Sequence, residues 1–282
     1  MSSLLKPSGR FARSRAAGRA ISCAGRRSLH AVRSGLLTLL IAGLMAGLSP
    51  CPWAVAGPPG DDDMAIAQSL AEMLRDARTI ISNEQDLIND PGLGDKHLTG
   101  QAVLDGAKKL YFEATGVDPA KLDPGSRQGR LLRAMMAAIT EVMDDNQGTI
   151  NEKGTGFKGF IPAVFARLVA EAFVRLAKGD AEIKVTAPPE LVRNRKARPD
   201  QWEAGIIKSK LLDPSWPPSQ PYSQMVEAEG RPAFRVMVPE YYAASCLSCH
   251  GSPKGEMDVT GYPKEGGKLN DLGAVISITL YH

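Results

Sequence analysis

The chain has 282 residues, 43% of them hydrophobic and 23% charged, which is ordinary for a globular protein and enough for one large domain or two small ones. Its net charge of +3 hides an asymmetry. Eight basic residues (Lys6, Arg10, Arg13, Arg15, Arg19, Arg26, Arg27, Arg33) and no acid fall in residues 1–56, so 26 basic side chains face 31 acidic ones in the rest. The acidic remainder gives no case for nucleic-acid binding.

The basic start leads into "GLLTLLIAGLMAGL", Gly35 to Leu48, and then Ala54-Val55-Ala56 before Gly57. A positive region, a short apolar core and small residues at a cleavage point read as an export signal over residues 1–56. The alternative is an uncleaved membrane anchor over residues 35–48, but this stretch falls short of the roughly 20 residues a spanning helix needs. Cys51 is a poor lipoprotein site because Pro50 precedes it, and Arg26-Arg27 matches a twin-arginine signal only loosely. The expected mature chain, residues 57–282, works in the periplasm. Cleavage removes Cys23 and Cys51, leaving Cys246 and Cys249 and therefore no disulfide framework.

Beyond the leader, Asp61-Asp62-Asp63 opens a predicted helix whose apolar residues recur at helical spacing from Ile66 to Ile88, through Asn89. "DPGLGDKHLTG" breaks it. Thr99 caps a second predicted helix to about Thr115, and "GVDPAKLDPGS" is a loop. A third helix is expected from about Arg127 to Asp145, with Leu131, Leu132, Met135, Met136, Ile139 and Val142 inward. A fourth follows Pro162, with Phe165, Val169 and Phe173 inward and Gly179 closing it.

After Gly179 the period changes. "EIKVTAP" alternates as a strand, and "RPDQWEAGIIKSKLL" reads as a short helix with Asp200 near its start. "YSQMVEAEG" and "PAFRVMVP" flank a hairpin turn at residues 229–231, and Gly273 to Tyr281 alternates as a last strand. The fold class is α+β: a helical half, 64–179, followed by a small antiparallel sheet half, 180–282, in one domain over 57–282.

Between the last two strands lies "SCLSCHG", Ser245 to Gly251. In C-x-x-C-H two thiols on one helical turn can add across the vinyl groups of haem, while the adjacent histidine turns under the iron. Such attachment takes place on the export side of the membrane, where the leader sends this chain. A zinc half-site is the weaker reading, because tetrahedral zinc wants four ligands and the mature chain adds only His97 and His282. A redox dithiol is also weaker, given the following histidine and the glycine-rich context. Small electron-transfer cytochromes place the motif near the N-terminus, with a methionine ligand far downstream. Here it lies near the C-terminus, followed only by Met257.

Three ordered stretches, "VRNRKARPDQWE", "PEYYAASCLSCHG" and "TGYPKEGGKLNDLGAVISITL", resemble a bacterial family of monohaem c-type domains with a PAS-like fold, formerly a domain of unknown function. Its members occur free in the periplasm and as sensor parts of histidine kinases and chemotaxis-type receptors. The resemblance covers Glu182 to Leu280 and, more loosely, "FKGFIPAVFARLV" in the helical half. It implies one covalent haem between the helices and the sheet, thioethers at Cys246 and Cys249, and His250 as the proximal iron ligand. Arg193, Asn194, Pro199, Asp200, Trp202 and Glu203 match a family motif with an implied structural role around the haem pocket.

The distal ligand stays unassigned. Some relatives carry a spare cysteine in the helical half, and this mature chain has none. His97 is the best candidate chemically, but it sits in a loop of the kind that runs over the surface. Met225 and Met237, on the predicted hairpin, read as packing residues. Arg193 and Arg195, with Lys196 and Arg198, either pair with haem propionates or form a solvated loop. The loop Gly251–Gly267 either wraps the haem edge or simply connects.

Two functions follow from these readings. One is a haem-based sensor of redox state or a diatomic gas, passing its signal to a separate protein because no kinase or receptor portion follows. The alternative is a single-haem electron carrier serving a periplasmic redox partner. A peroxidase is unsupported, since no distal His/Arg pair stands at recognisable spacing, and no enzyme activity is expected. In every case the haem-attachment machinery is a partner during maturation.

Overall fold

The computed structural model describes residues 61–282. The export-signal reading of residues 1–56 and the anchor alternative over 35–48 lie outside the described residues. Among the described residues no helix is long and apolar enough to cross a membrane.

The first expected helix divides. Helix α1 (Asp61–Asn83) ends before Glu84, and a single turn, α2 (Gln85–Ile88), follows. At the break the Gln85 side-chain amide donates to the carbonyls of Ile81 and Phe160, so a tertiary contact takes over where periodicity alone predicts continuation. Helix α3 (Gly100–Thr115) starts where Thr99 Oγ1 accepts the Ala102 N–H and stops at Gly116, whose φ is +70°. Helix α4 (Arg127–Asp145) is capped by Ser126, which accepts the Gly129 N–H. A short turn, α5 (Gln147–Ile150), precedes α6 (Pro162–Leu176), which carries its proline in the first turn. Lys178 and Gly179 both take positive φ and turn the chain into the sheet.

Strands β1 (Ala181–Thr186), β2 (Tyr222–Ala228), β3 (Arg231–Tyr241) and β4 (Leu272–Tyr281) form one antiparallel sheet in the order β1-β4-β3-β2. The β2–β3 hairpin turns on Glu229 and Gly230, both at positive φ, the geometry that matches strand twist in two-residue loops. Between β1 and β2 lies α7 (Gln201–Ile206), which continues as a π-helical turn over Ile207–Leu211.

Each face of the sheet has its own cover. Ile183, Phe234, Val236, Val238, Ile276, Ile278 and Leu280 share one apolar core with the helices, around the fully buried Tyr111, Phe165, Phe173 and Leu74. Met237 and Val275 point the other way and pack under Ile207 and Leu211, with Trp202 at the margin. The fold is therefore α+β, with helices packed on a small antiparallel sheet, in the order the sequence implies.

Candidate functional site

The edge of the site is set by α1 and the end of β3. Glu240 accepts from Arg75 Nε at 2.8 Å and from Arg78 Nη1 at 3.0 Å, tying α1 to the last residues of that strand. The chain then turns through one 3-10 turn (Ala244–Cys246) directly into α8 (Leu247–His250). Cys246, Cys249 and His250 thus share one continuous helical stretch. Ser245 Oγ lies 3.4 Å from Ser82 Oγ, which sets this stretch beside the C-terminal end of α1. Both thiols are free and half-buried. The Gly251 N–H closes the turn on the Leu247 carbonyl at 2.9 Å, and a Cβ at Gly251 would collide with that carbonyl.

The loop after Gly251 comes back to the motif. Met257 and Pro263 form an isolated antiparallel bridge, Gly266 N–H donates to the Gly251 carbonyl, and Gly267 N–H donates to the His250 carbonyl at 2.8 Å. The histidine is held on two sides. Its Nδ1 lies 2.9 Å from Glu265 Oε2, and its ring stacks on Tyr242 with centroids 5.1 Å apart and planes 19° apart. With Nδ1 engaged, Nε2 is the nitrogen left for a metal. Tyr242 is buried, and its hydroxyl has no partner among the described residues. Burial, reinforced by the Glu265 charge, pushes this phenol up to about 12. Gly267 and Gly273 make room for the Tyr242 ring: a Cβ at Gly267 would lie 2.6 Å from Tyr242 Cε2, and one at Gly273 closer still.

Arg193 is the hub of the loop. Its Nε donates to Glu265 Oε1 at 2.8 Å and its Nη2 to Glu265 Oε2 at 3.0 Å, a two-pronged grip on the carboxylate. Nη1 donates to Asp258 Oδ2 at 2.6 Å, and Nη2 also reaches the Cys249 carbonyl at 3.0 Å. Burial alone would raise the carboxyls of Glu265 and Asp258, but hydrogen bonds win. Arg193 and His250 hold Glu265 below the usual range, and Thr260, Arg193 and backbone N–H groups hold Asp258 well below it. Every nitrogen of the Arg193 guanidinium is thus engaged within the protein. Arg195, also read as a propionate partner, is exposed on a 3-10 turn (Arg195–Ala197), two residues away.

The motif that Arg193 opens divides in space. Asp200 caps α7 by accepting the Glu203 N–H at 2.8 Å, and the buried Glu203 carboxylate accepts the Asp200 N–H at 2.7 Å. Glu203 also pairs with Lys184 and Arg235, while Arg235 lies under the Trp202 ring at 4.3 Å. These residues pin α7 to the outer face of the sheet, and only Arg193 reaches into the CxxCH segment. Asn194 caps the Arg195–Ala197 turn by accepting the Lys196 N–H.

The remaining candidates are dispersed. His97 has a side chain 87% exposed and contacts Asp95 at 3.4 Å. His282 pairs with Asp63 at 3.1 Å, far in the chain from the cysteines it would join in a zinc site. Met237 is fully buried in the core of the outer face, and Met225 packs against the helical core. Among the described residues no group of three or more His, Cys, Asp and Glu side chains has a metal-holding arrangement. The zinc reading therefore lacks its second half.

Glu265, Tyr242 and Asp258 were not singled out from the sequence. Glu265 and Tyr242 lie inside the stretches "TGYPKEGG" and "PEYYAASCLSCHG", but neither residue type announces a contact with a histidine many positions away.

Fold and site define an α+β domain that presents CxxCH on one turn, between the end of a strand and a loop that folds back over its histidine. The Tll0287-like family model matches residues 65–280, and the chain belongs to that family. Membership in this family suggests a haem-binding domain. The match extends the resemblance read over Glu182–Leu280 across the helical half as well. No curated protein and no solved structure matches the chain.

Proposed function

We propose that the chain is a c-type haem protein of the periplasm, carrying one haem and acting in the sensing of redox state or of a diatomic ligand. The carrying observation is the pairing of two free thiols with a histidine whose Nδ1 is fixed on Glu265, all on one helical stretch. That donor set fits the group: Cys246 and Cys249 would hold it as thioethers, and His250 Nε2 would face the iron. When bound, the haem supplies one-electron redox chemistry and an axial position for a small ligand. The chain's own residues fix the imidazole plane, through Tyr242, and its tautomer, through Glu265.

Sensing is preferred over electron transfer because the helical half offers the sixth position no cysteine, and because Met225 and Met237 are committed to packing.

The test is to express the full chain with haem-attachment machinery, purify the exported product and record a pyridine haemochrome spectrum before and after acid–acetone extraction. A retained c-type band, with a reduced protein that binds CO, is expected. Retained haem that is six-coordinate in both redox states and inert to CO would favour the electron carrier. Loss of all haem from a folded protein would overturn the haem assignment.

A further inference from the structure

The network around His250 reaches further than anchoring. We propose that Glu265 is the residue that sets the donor strength of His250, with Arg193 locking the carboxylate in place and Tyr242 fixing the ring plane. This rests on the haem reading above.

The geometry supports it from three sides. Glu265 Oε2 lies 2.9 Å from His250 Nδ1, within range for an N–H donating to a charged oxygen. The carboxylate cannot swing away, because Arg193 grips both oxygens at 2.8 and 3.0 Å and is itself held by Asp258 and the Cys249 carbonyl. The imidazole cannot rotate freely, because Tyr242 stacks on it and occupies space that only glycine at 267 and 273 leaves open.

A carboxylate partner at Nδ1 pulls the shared proton and makes Nε2 a stronger donor. A stronger axial donor stabilises the more positive, ferric state. In the one-electron couple the electron supplied by the electrode or dithionite enters the iron, and the Nδ1 proton remains on the imidazole. The expected signature is therefore a reduction potential held low by Glu265. A weaker Nδ1 partner moves it upward.

The experiment is a spectroelectrochemical titration at fixed pH of the haem-loaded wild type and three variants, each first checked for covalent haem. Glu265→Gln should shift the ferric/ferrous balance toward ferrous by about tenfold, a rise of about 59 mV for one electron. Glu265→Asp should fall between the two. Asp258→Asn removes one negative charge from the other carboxylate on Arg193 without touching His250, so it should shift the balance several-fold less than Glu265→Gln.

Equal shifts in Glu265→Gln and Asp258→Asn would overturn the proposal in favour of general charge around the loop. So would a haem-loaded Glu265→Gln with an unchanged potential. Should Glu265→Gln fail to fold, the wild type still decides. In its reduced, CO-bound form, which is low-spin, 15N-labelled histidine should show a far-downfield, exchange-protected Nδ1–H. A rapidly exchanging one overturns the assignment. Absence of covalent haem in the wild type would sink the haem reading, whereas the outcomes above bear on the role of Glu265 alone.

Discussion

The helical half and the CxxCH loop are stabilised by opposite means. The helices bury Phe165, Phe173, Leu74 and Tyr111 in one apolar core shared with the sheet, so their stability is spread over many non-directional contacts. The loop from Gly251 to Gly267 leaves Met257, Val259 and Tyr262 exposed and is closed by one guanidinium, two carboxylates and a few backbone hydrogen bonds. An apolar core tolerates small shifts. A charge-held loop either has its partners or leaves buried charges unpaired, which is costly. The position of His250 therefore depends on a few directional bonds, while the scaffold under it does not.

Phe173→Ala should have the largest effect on stability, costing about 3–5 kcal/mol in urea unfolding by opening a cavity in the shared core. The loop should stay closed until the whole domain unfolds. If hydrogen exchange at the Gly266 and Gly267 amides speeds up before global unfolding in this variant, the two regions are not separable.

Arg193→Ala should do the reverse. It removes the guanidinium partner of Glu265 and Asp258, leaving their other hydrogen bonds, and should weaken loop closure by about 2–4 kcal/mol. Hydrogen exchange at Gly266 and Gly267 should accelerate, and proteolysis should concentrate in residues 252–265, while the cooperative melting of the helices moves little. A global loss equal to that of Phe173→Ala would mean the clamp is part of the core.

The smallest effect sharpens the contrast inside the helical half. Asp76 lies buried on α1 with one carboxylate oxygen unpartnered. Burial, aided by Glu72 and opposed by Arg75, raises its carboxyl to about 7. The folded state then holds a proton that the unfolded chain releases near pH 4, so this residue makes stability fall as pH rises from about 4 to about 7. Asp76→Asn should flatten that slope and stabilise the protein at pH 8 by about 1–3 kcal/mol, with little change at pH 4. Equal melting shifts at both pH values would show that Asp76 does not titrate in this window.

Much of the scaffold was legible. The caps at Thr99 and Asp200, the start of α4 at Arg127 and the Glu229-Gly230 turn are local chemistry, and each stands within a residue or so of its expected place. The break at Glu84 was not legible, because the contact that marks it comes from Phe160, some 75 positions on. The spatial division of the family motif was not legible for the same reason: contiguous in sequence, it sends Arg193 to the site and Asp200, Trp202 and Glu203 to the outer face of the sheet.

The sequence by itself determined the element order, the α+β class and the identity of the CxxCH residues, because periodicity, capping and three-residue spacing all act over one or two turns of chain. Only the tertiary structure decided what surrounds His250. Arg193, Tyr242 and Glu265 arrive from before β2, from the end of β3 and from the returning loop. Their meeting depends on the antiparallel register of β3 with β4 and on a loop that closes back on Gly251, and neither of these is a property of any short stretch of sequence.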